Sequence, residues 1–303
     1  MKYNKNDGSG VNELLAENDD PLDIRFDNVF KAVFTKDSPE SQGALARLLS
    51  GIIGRDLSVI TLYINEPPVG DTRDRQIRFD INCRAEDGSL INVEMSFFPN
   101  PFEPVRLEYH AAKLFATQGI RGKNKSFGDL KETYQITFLA RETFFADSDF
   151  LHWFEYYDPE RRMPLGGRSR IITLELCKAD TVVEKPAGEM TAAELWAVFF
   201  QYLTDRDKRW KINEIAKFEE GIAMAGQVVM GISKDDAELF RILGEEKYEL
   251  DQQNRRVEAE RAARREGKEE SLRETARKMK ADNAPVRLIE KYTGLTEQQI
   301  EEL

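Results

Sequence analysis

The chain has 303 residues, 41% hydrophobic and 33% charged, with a formal net charge of −11 at pH 7. That is enough for one large domain or two ordinary ones beneath a heavily solvated surface. No apolar run approaches the ~20 residues of a membrane span, the polar, acidic N-terminus does not read as a secretory signal or transit peptide, and two cysteines cannot build a disulfide framework, so a reduced cytoplasmic protein is expected. Two histidines exclude a His-rich zinc site. A Walker loop and a G-x-G-x-x-G fingerprint are absent. The acidic balance argues against coating nucleic acid by charge, so any DNA contact must be local or mediated by cations.

Residues 1–22 carry Gly, Asn, Asp and Ser without periodicity and read as a disordered leader. A first helix is expected over 27–36, with Phe26, Val29, Phe30, Val33 and Phe34 on one face. Asp27 reads there as a helix N-cap. Ser38 and Pro39 open a second helix as N-cap and first helical residue. Its stripe is Leu45, Leu48, Leu49 and Ile52, and Gly51 or Gly54 ends it. The β-branched run 58–65 reads as a strand.

Residues 75–98, RQIRFDINCRAEDGSLINVEMSFF, form two period-2 runs around a glycine, the signature of a β-hairpin. A two-residue Asp87-Gly88 loop would set polar side chains opposite apolar ones. A three-residue loop, Glu86-Asp87-Gly88, puts Gly88 where a left-handed residue belongs. It pairs Cys83 with Ile91, Ile81 with Val93 and Phe79 with Met95 on one face, and Asn82 with Asn92 and Asp80 with Glu94 on the other. A one-residue slip would turn every side chain over, so this register is expected.

A helix over 103–118 follows. Leu107, Ala111, Leu114 and Phe115 make its core stripe, and Arg106, His110, Lys113 and Thr117 line up on another face. That polar stripe reads either as a phosphate contact or as a solvated face. Strands are expected over 134–140, 152–157 and 170–177, and helices from Thr191, which with Glu194 makes a capping box. Trp196, Phe199 and Phe200 recur at helical spacing and read as core. Residues 245–280 balance acids and bases around a helix polar on nearly every side, a spacer or an arm that packs on a partner. Residues 281–303 read as two short helices with Gly294 between them. Glu297, Glu301 and Glu302 on the second argue against DNA recognition and for docking or dimerisation. The domains so read are a leader (1–22), an α/β core (23–190), a helical extension (191–244), a charged arm (245–280) and a two-helix unit (281–303).

Asp80 opposite Glu94 is the pair that could carry chemistry. Like charges directly across a strand pair repel and raise one pKa. They are tolerated if apart in solvent, paired with bases or bridged by a cation. Rigid adjacent acids suit Mg²⁺, which prefers oxygen ligands and keeps several waters. An ordinary solvated hairpin face is the alternative.

FDINCRAEDGSLINVEMS resembles the D…(D/E)-x-K core of the PD-(D/E)XK nuclease superfamily. Within it the chain is similar to the bacterial nuclease/transposase family that includes the recombination-promoting nucleases. The likeness extends to RFDNVFKAVF, RLEYHAAKLFATQG and a charged arm before a TGLT-type helix pair, so it covers most of residues 23–303. It implies an α/β, restriction-endonuclease-like core with a mixed central sheet flanked by helices, then an all-helical C-terminal region. It also implies hydrolysis of double-stranded DNA by a Mg²⁺-dependent endonuclease, with Mn²⁺ as a substitute. Asp80 and Glu94 match the two acids and would bind metal with the Met95 carbonyl. The third motif position departs from the pattern: the superfamily has Lys, many relatives have Gln, and here it is Ser96, which supplies no positive charge. Lys113, and less directly Lys31, are candidates to replace it. Lys31, Arg106 and Lys113 are the expected DNA contacts.

Three functions compete. The first is a metal-dependent endonuclease linked to mobile elements or recombination. The second is a degenerate relative, with Ser96 in the motif position, that binds DNA or a protein partner without cutting. The third is an interaction protein working through its C-terminal arm, through which a homo-oligomer could also form.

Overall fold

The structure is a computed structural model and describes residues 13–57, 60–63, 80–97, 99, 102–120, 126–141 and 143–303. Residues 1–12 of the expected leader, 58–59 and 64–65 of the first strand, 75–79 with the Phe79–Met95 pair, and Phe98 and Pro101 lie outside them. The chain divides into two compact units, Met1–Ile242 and Leu243–Leu303.

The first unit is built on a six-stranded mixed sheet. Its strands are β1 (Ile60–Leu62), β2 (Ile81–Ala85), β3 (Leu90–Ser96), β4 (Thr133–Leu139), β5 (Leu151–Phe154) and β8 (Ser169–Glu175), in the order β1-β2-β3-β4-β8-β5. A two-stranded ribbon, β6 (Tyr157–Asp158) and β7 (Met163–Pro164), lies between β5 and β8 in sequence. β3, β4 and β8 run parallel, and the other pairings in the large sheet are antiparallel. The expected hairpin register holds: Ile81 faces Val93, Asn82 faces Asn92 and Cys83 faces Ile91. Its loop is the three-residue one, closed by the Gly88 amide on the Ala85 carbonyl at 2.9 Å, with Gly88 at φ +87°, where an L side chain would be strained. The strand expected over 152–157 ends at Phe154. That expected over 170–177 ends at Glu175, where the chain turns into a 3-10 helix, Leu176–Thr181.

Because residues paired across a sheet share a face, the register sorts the sheet into two unlike surfaces. Ile81 and Cys83, Val93 and Met95, Ile136 and Phe138, and Ile172 and Leu174 make one face, all buried in a single apolar core. Helices α1 (Asp27–Thr35), α2 (Pro39–Ile53), α4 (Ala192–Tyr202), α5 (Arg209–Ile215) and α6 (Glu220–Lys234) contribute to that core. Phe138 of β4 meets Phe200 of α4 at 4.7 Å between ring centres and Phe30 of α1 at 5.9 Å. Trp196 and Phe200 are 5.7 Å apart. The stretch read as a helical extension therefore shares the core of the sheet, and the first unit continues to Ile242. The opposite face carries Asn92 and Glu94, Gln135 and Thr137, and Ile171 and Thr173. Helix α3 (Glu103–Ala116), the crossover between parallel β3 and β4, packs against β3, β4 and β8.

Caps fall where the side chains dictate. Ser38 accepts from the Ser41 amide and Gly54 closes α2 in the left-handed conformation. Thr191 and Glu194 form the capping box of α4. One expectation is corrected: residues 13–22 do not behave as a leader. Leu15 is 1% exposed and exchanges two 2.9 Å backbone hydrogen bonds with the Asn213 amide, while the Leu22 amide donates to Ser233. An apolar Leu15 and a satisfied backbone make this stretch part of the core despite its polar composition.

Helix α7 (Asp236–Ala281) runs into the second unit, which also holds α8 (Val286–Thr293) and α9 (Glu297–Glu301) around a small core of Ala276, Ile289 and Ile300. Gly294 closes α8, and Thr296 with Gln299 boxes α9. No helix among the described residues is long and apolar enough to cross a membrane.

If the aromatic cluster joins α4 to the sheet, Phe200→Ala will cost about 3–5 kcal/mol and Thr191→Ala, which removes only a cap, about 1 kcal/mol. Urea unfolding of both variants checks the ranking, and equal losses would contradict it.

Candidate active site

Glu94 lies in the interior of the sheet and is 2% exposed. A bare carboxylate there would be strongly disfavoured unless hydrogen-bonded and paired, and the neighbouring elements supply both. Oε1 accepts from Asn92 Nδ2 at 2.8 Å and lies 2.5 Å from His110 Nδ1; Oε2 accepts from Arg106 at 2.9 Å. Asn92 is two residues back on the same face of β3, and Arg106 and His110 stand one turn apart on α3. Burial pushes the Glu94 carboxyl up, but the His110 bond, the Arg106 charge and the Asn92 bond outweigh it and hold Glu94 below the usual range. Arg106 also grips Glu103, the first residue of α3 and itself buried, through Nε and Nη2. Asn92 continues to Gln135 at 2.8 Å, and Gln135 to Thr137 at 3.2 Å, so the polar network runs across β3 and β4.

Asp80 immediately precedes β2, one residue beyond the last ladder pair, and carrying the register on sets it against Glu94. Its environment is the reverse of that of Glu94. Burial is the largest influence on its carboxyl; the charges of Asp27 and Glu94 add to it, and Lys31 opposes them. The net effect holds Asp80 well above the ordinary value. Lys31 Nζ sits 3.1 Å from Asp80 Oδ1 and 2.7 Å from Asp27 Oδ2, and the Met95 amide donates to Asp80 Oδ2 at 3.2 Å. Burial of Lys31 favours its neutral form, but Asp80 and Asp27 override this and raise its pKa, so the ammonium stays charged. The N-cap of α1 is Phe26, without a side-chain bond, and Asp27 occupies the first helical position. The N-cap reading of Asp27 is thereby corrected: its carboxylate turns to Lys31 and Asp80.

The remaining sequence-derived residues divide. Lys31, the less direct of the two lysine candidates, touches Asp80, whereas Lys113 lies a turn beyond His110 with its ammonium 5.8 Å from the Tyr109 ring centre. Ser96 is half-buried at the end of β3, opposite Leu139. Arg106, expected to face phosphate, directs its guanidinium to Glu94 and Glu103 instead. The polar stripe of α3 is thus neither fully solvated nor free: its first two members serve a buried acid. His110, assigned no role from sequence, is the residue missed, although its position four residues after Arg106 was the available signal.

The donor set at Asp80 fits a hard divalent cation. Asp27 and Asp80 share one ammonium, that of Lys31, the pKa of Asp80 is raised, and the buried Asp27 Oδ1 has no hydrogen-bond partner among the described residues. No group of three or more Asp, Glu, His or Cys side chains placed to hold a metal occurs among the described residues. An ion here would therefore rely on one or two carboxylates and water, as Mg²⁺ commonly does. Glu94, with both oxygens already engaged, fits an ion only if it gives up a donor.

A family model described as PD-(D/E)XK nuclease family transposase matches residues 24–260. No curated protein and no solved structure matches the chain.

The two acids predict opposite pH behaviour. Asp80, held high, contributes stability below the ordinary aspartate pKa of about 3.9 that is lost as pH rises through its folded value. Glu94, held low, contributes stability above the ordinary glutamate pKa of about 4.3 that is lost as pH falls through its folded value. At pH 7 in EDTA, Asp80→Asn will therefore raise the Tm, and Glu94→Gln, which strands Arg106, will lower it by roughly 2 kcal/mol equivalent or more. A fall in Tm for Asp80→Asn would show that repulsion does not dominate at that acid.

Proposed function

Since the chain belongs to the PD-(D/E)XK nuclease family transposases, whose core is restriction-endonuclease-like, we propose that it is a divalent-metal-dependent endonuclease that hydrolyses double-stranded DNA at the Asp80–Glu94 centre. The observation that carries this reading is the meeting of unlike acids at one place: Asp80, with Lys31 3.1 Å away, is held high by burial and by the charges of Asp27 and Glu94, while Glu94 is held ionised by His110, Arg106 and Asn92. A bound Mg²⁺, or Mn²⁺ in its place, would lower the pKa of a water and stabilise charge on the phosphate.

Asp80 would hold the ion, with the Met95 carbonyl and with Glu94 once Arg106 releases it. Arg106 then has two uses. In the free protein it neutralises Glu94, and with DNA bound its fork of donors is suited to a phosphate. His110 and Asn92 keep the Glu94 carboxylate oriented throughout. Lys31, 3.1 Å from Asp80, would supply the charge that Ser96 lacks. Its raised pKa makes it a fixed cation beside the acids and disqualifies it as a base at neutral pH. No protein nucleophile is implied, so water attacks.

A second reading has one specific observation in its favour. Both Glu94 oxygens are occupied by the protein's own donors, which is also how a degenerate site would stabilise a retained acid. The second unit, with its own small core and the acids of α9, suits self-assembly or protein docking better than phosphate contact.

Nicking of supercoiled plasmid tests the proposal. Wild type should cut with Mg²⁺ or Mn²⁺ and not in EDTA, and Asp80→Ala and Glu94→Ala should not cut. Lys31→Met should slow cutting by about 10²–10³, the usual loss for one preorganised charge or donor. Lys113→Ala should stay within about twofold of wild type. No cutting by wild type with either metal would favour the degenerate reading, and a loss confined to Lys113→Ala would transfer the cationic role to α3.

A further inference from the structure

The polar row that begins at Glu94 does not stop at the acids. Glu94 is level with Thr137 of β4, Thr137 with Thr173 of β8, and Thr173 with His152 of β5. Thr173 is 1% exposed, and its hydroxyl has no hydrogen-bond partner among the described residues. Adjacent strands lie about 4.8 Å apart, so Thr173 is about 10 Å from Glu94 across the sheet.

At that position the structure has a cavity of about 270 Å³ under α3. Leu107 and Ala111 of α3 and Ile171 of β8 form its aliphatic walls, and Thr173 and Ser169 of β8 contribute hydroxyls to the lining. Phe144, Phe145, Phe154 and Tyr156 form an aromatic side, with the Phe145 and Phe154 rings 5.3 Å apart. This side is held firmly. The fully buried Glu175 accepts from the Phe144 and Phe145 amides, Lys178 pairs with Glu175 and bonds the Phe145 carbonyl at 3.1 Å, and His152 bonds Asp147 at 3.0 Å. A buried carboxylate, Glu175, thus fixes two phenylalanines at the edge of a cavity.

The lining specifies the ligand. Its charged members among the described residues are acids, Glu103, Glu108 and Glu155, so phosphate and carboxylate groups are disfavoured inside. Flat aromatic walls select a planar group. A buried, unsatisfied hydroxyl, able to donate and accept, calls for a hydrogen-bonding edge. Glu103 borders the cavity and also holds Arg106, which holds Glu94, so the cavity adjoins the acids.

We propose that this cavity receives a nucleobase turned out of the stack from the DNA strand held at Asp80 and Glu94, and that the protein therefore prefers unpaired or distorted DNA to perfect duplex. The inference rests on the nuclease reading and deepens it by naming the form of substrate. It also accounts for binding by a chain of net charge −11: burying a base supplies affinity that phosphate attraction alone would not.

The test uses two short synthetic duplexes of one sequence. One carries a single 2-aminopurine unpaired opposite an abasic position, and the other has it paired. Each is titrated with the full chain, with Ca²⁺ in place of Mg²⁺, and followed by 2-aminopurine fluorescence. Wild type should bind the unpaired duplex about tenfold or more tightly than the paired one, the scale of one stacked base. Ala111→Leu, which fills the cavity, and Thr173→Val should remove most of that preference. Thr173→Val removes an unsatisfied hydroxyl without changing volume, so its Tm should not fall, which guards against loss through misfolding. Equal affinity for the two duplexes, or a preference that survives both variants, overturns the proposal. If wild type nonetheless nicks plasmid, this inference fails alone and the nuclease reading stands. If it neither binds these duplexes nor nicks, both fail together.

Discussion

A carboxylate buried in the middle of a sheet imposes conditions on everything around it. Glu94 cannot stay ionised there without donors, and the sheet supplies only Asn92, so the others must come from the element that crosses above. Helix α3 provides them one turn apart, as Arg106 and His110. The same contacts fix how α3 lies on the polar face, and so which of its residues meet β4 and β8. Leu107 and Ala111 fall over the cavity because Arg106 and His110 fall over Glu94. The candidate site and the space beside it are thus set by one requirement, the satisfaction of a single buried charge.

That requirement is tolerable because the sheet is two-faced. The opposite face is almost wholly apolar and gathers α1, α2, α4, α5 and α6 into one core, so cohesion does not depend on the polar face. Phe30, Phe138 and Phe200 meet there without any part in the chemistry. The division also allows α1 two roles at once. Phe30 and Phe34 anchor it in the core, and Asp27 and Lys31, four residues apart, reach Asp80. Natural sequences commonly depart from local rules at functional sites, and the acid cluster here depends on that separate source of stability.

Much of this was legible in the sequence, and what was not has a physical reason. The hairpin register followed from side-chain alternation and from the left-handed demand at Gly88, both local quantities, and with it came the Asn82–Asn92 pair and the rung that sets Asp80 against Glu94. The caps at Ser38, Thr191 and Thr296 were equally local. Asp27 looked like a cap because its partner, Asp80, lies more than fifty positions away and is brought near only by tertiary packing. Arg106 and His110 looked like part of a phosphate-facing or solvated stripe because helical periodicity identifies which residues share a face and not which charges find partners across it. Leu15 was hidden in a polar stretch, since composition averages over a residue that one buried contact can fix.

Lys31 and Ser96 lie on different elements, and only Lys31 brings charge to Asp80. In a site of this kind the third motif residue contributes charge at a position defined by the strand. Ser96 ends β3 without charge, but the field at Asp80 depends on where a cation sits, not on which element delivers it. Lys31 places an ammonium 3.1 Å from Asp80 from the opposite layer. Because Asp27 holds the same ammonium at 2.7 Å, the lysine is restrained from both sides and keeps its proton. The arrangement adds a negative charge along with the positive one, and the charge of Asp27 helps push Asp80 upward. Lys31 and Asp27 are in this sense parts of one electrostatic arrangement, in which Asp27 helps keep the ammonium beside Asp80 charged.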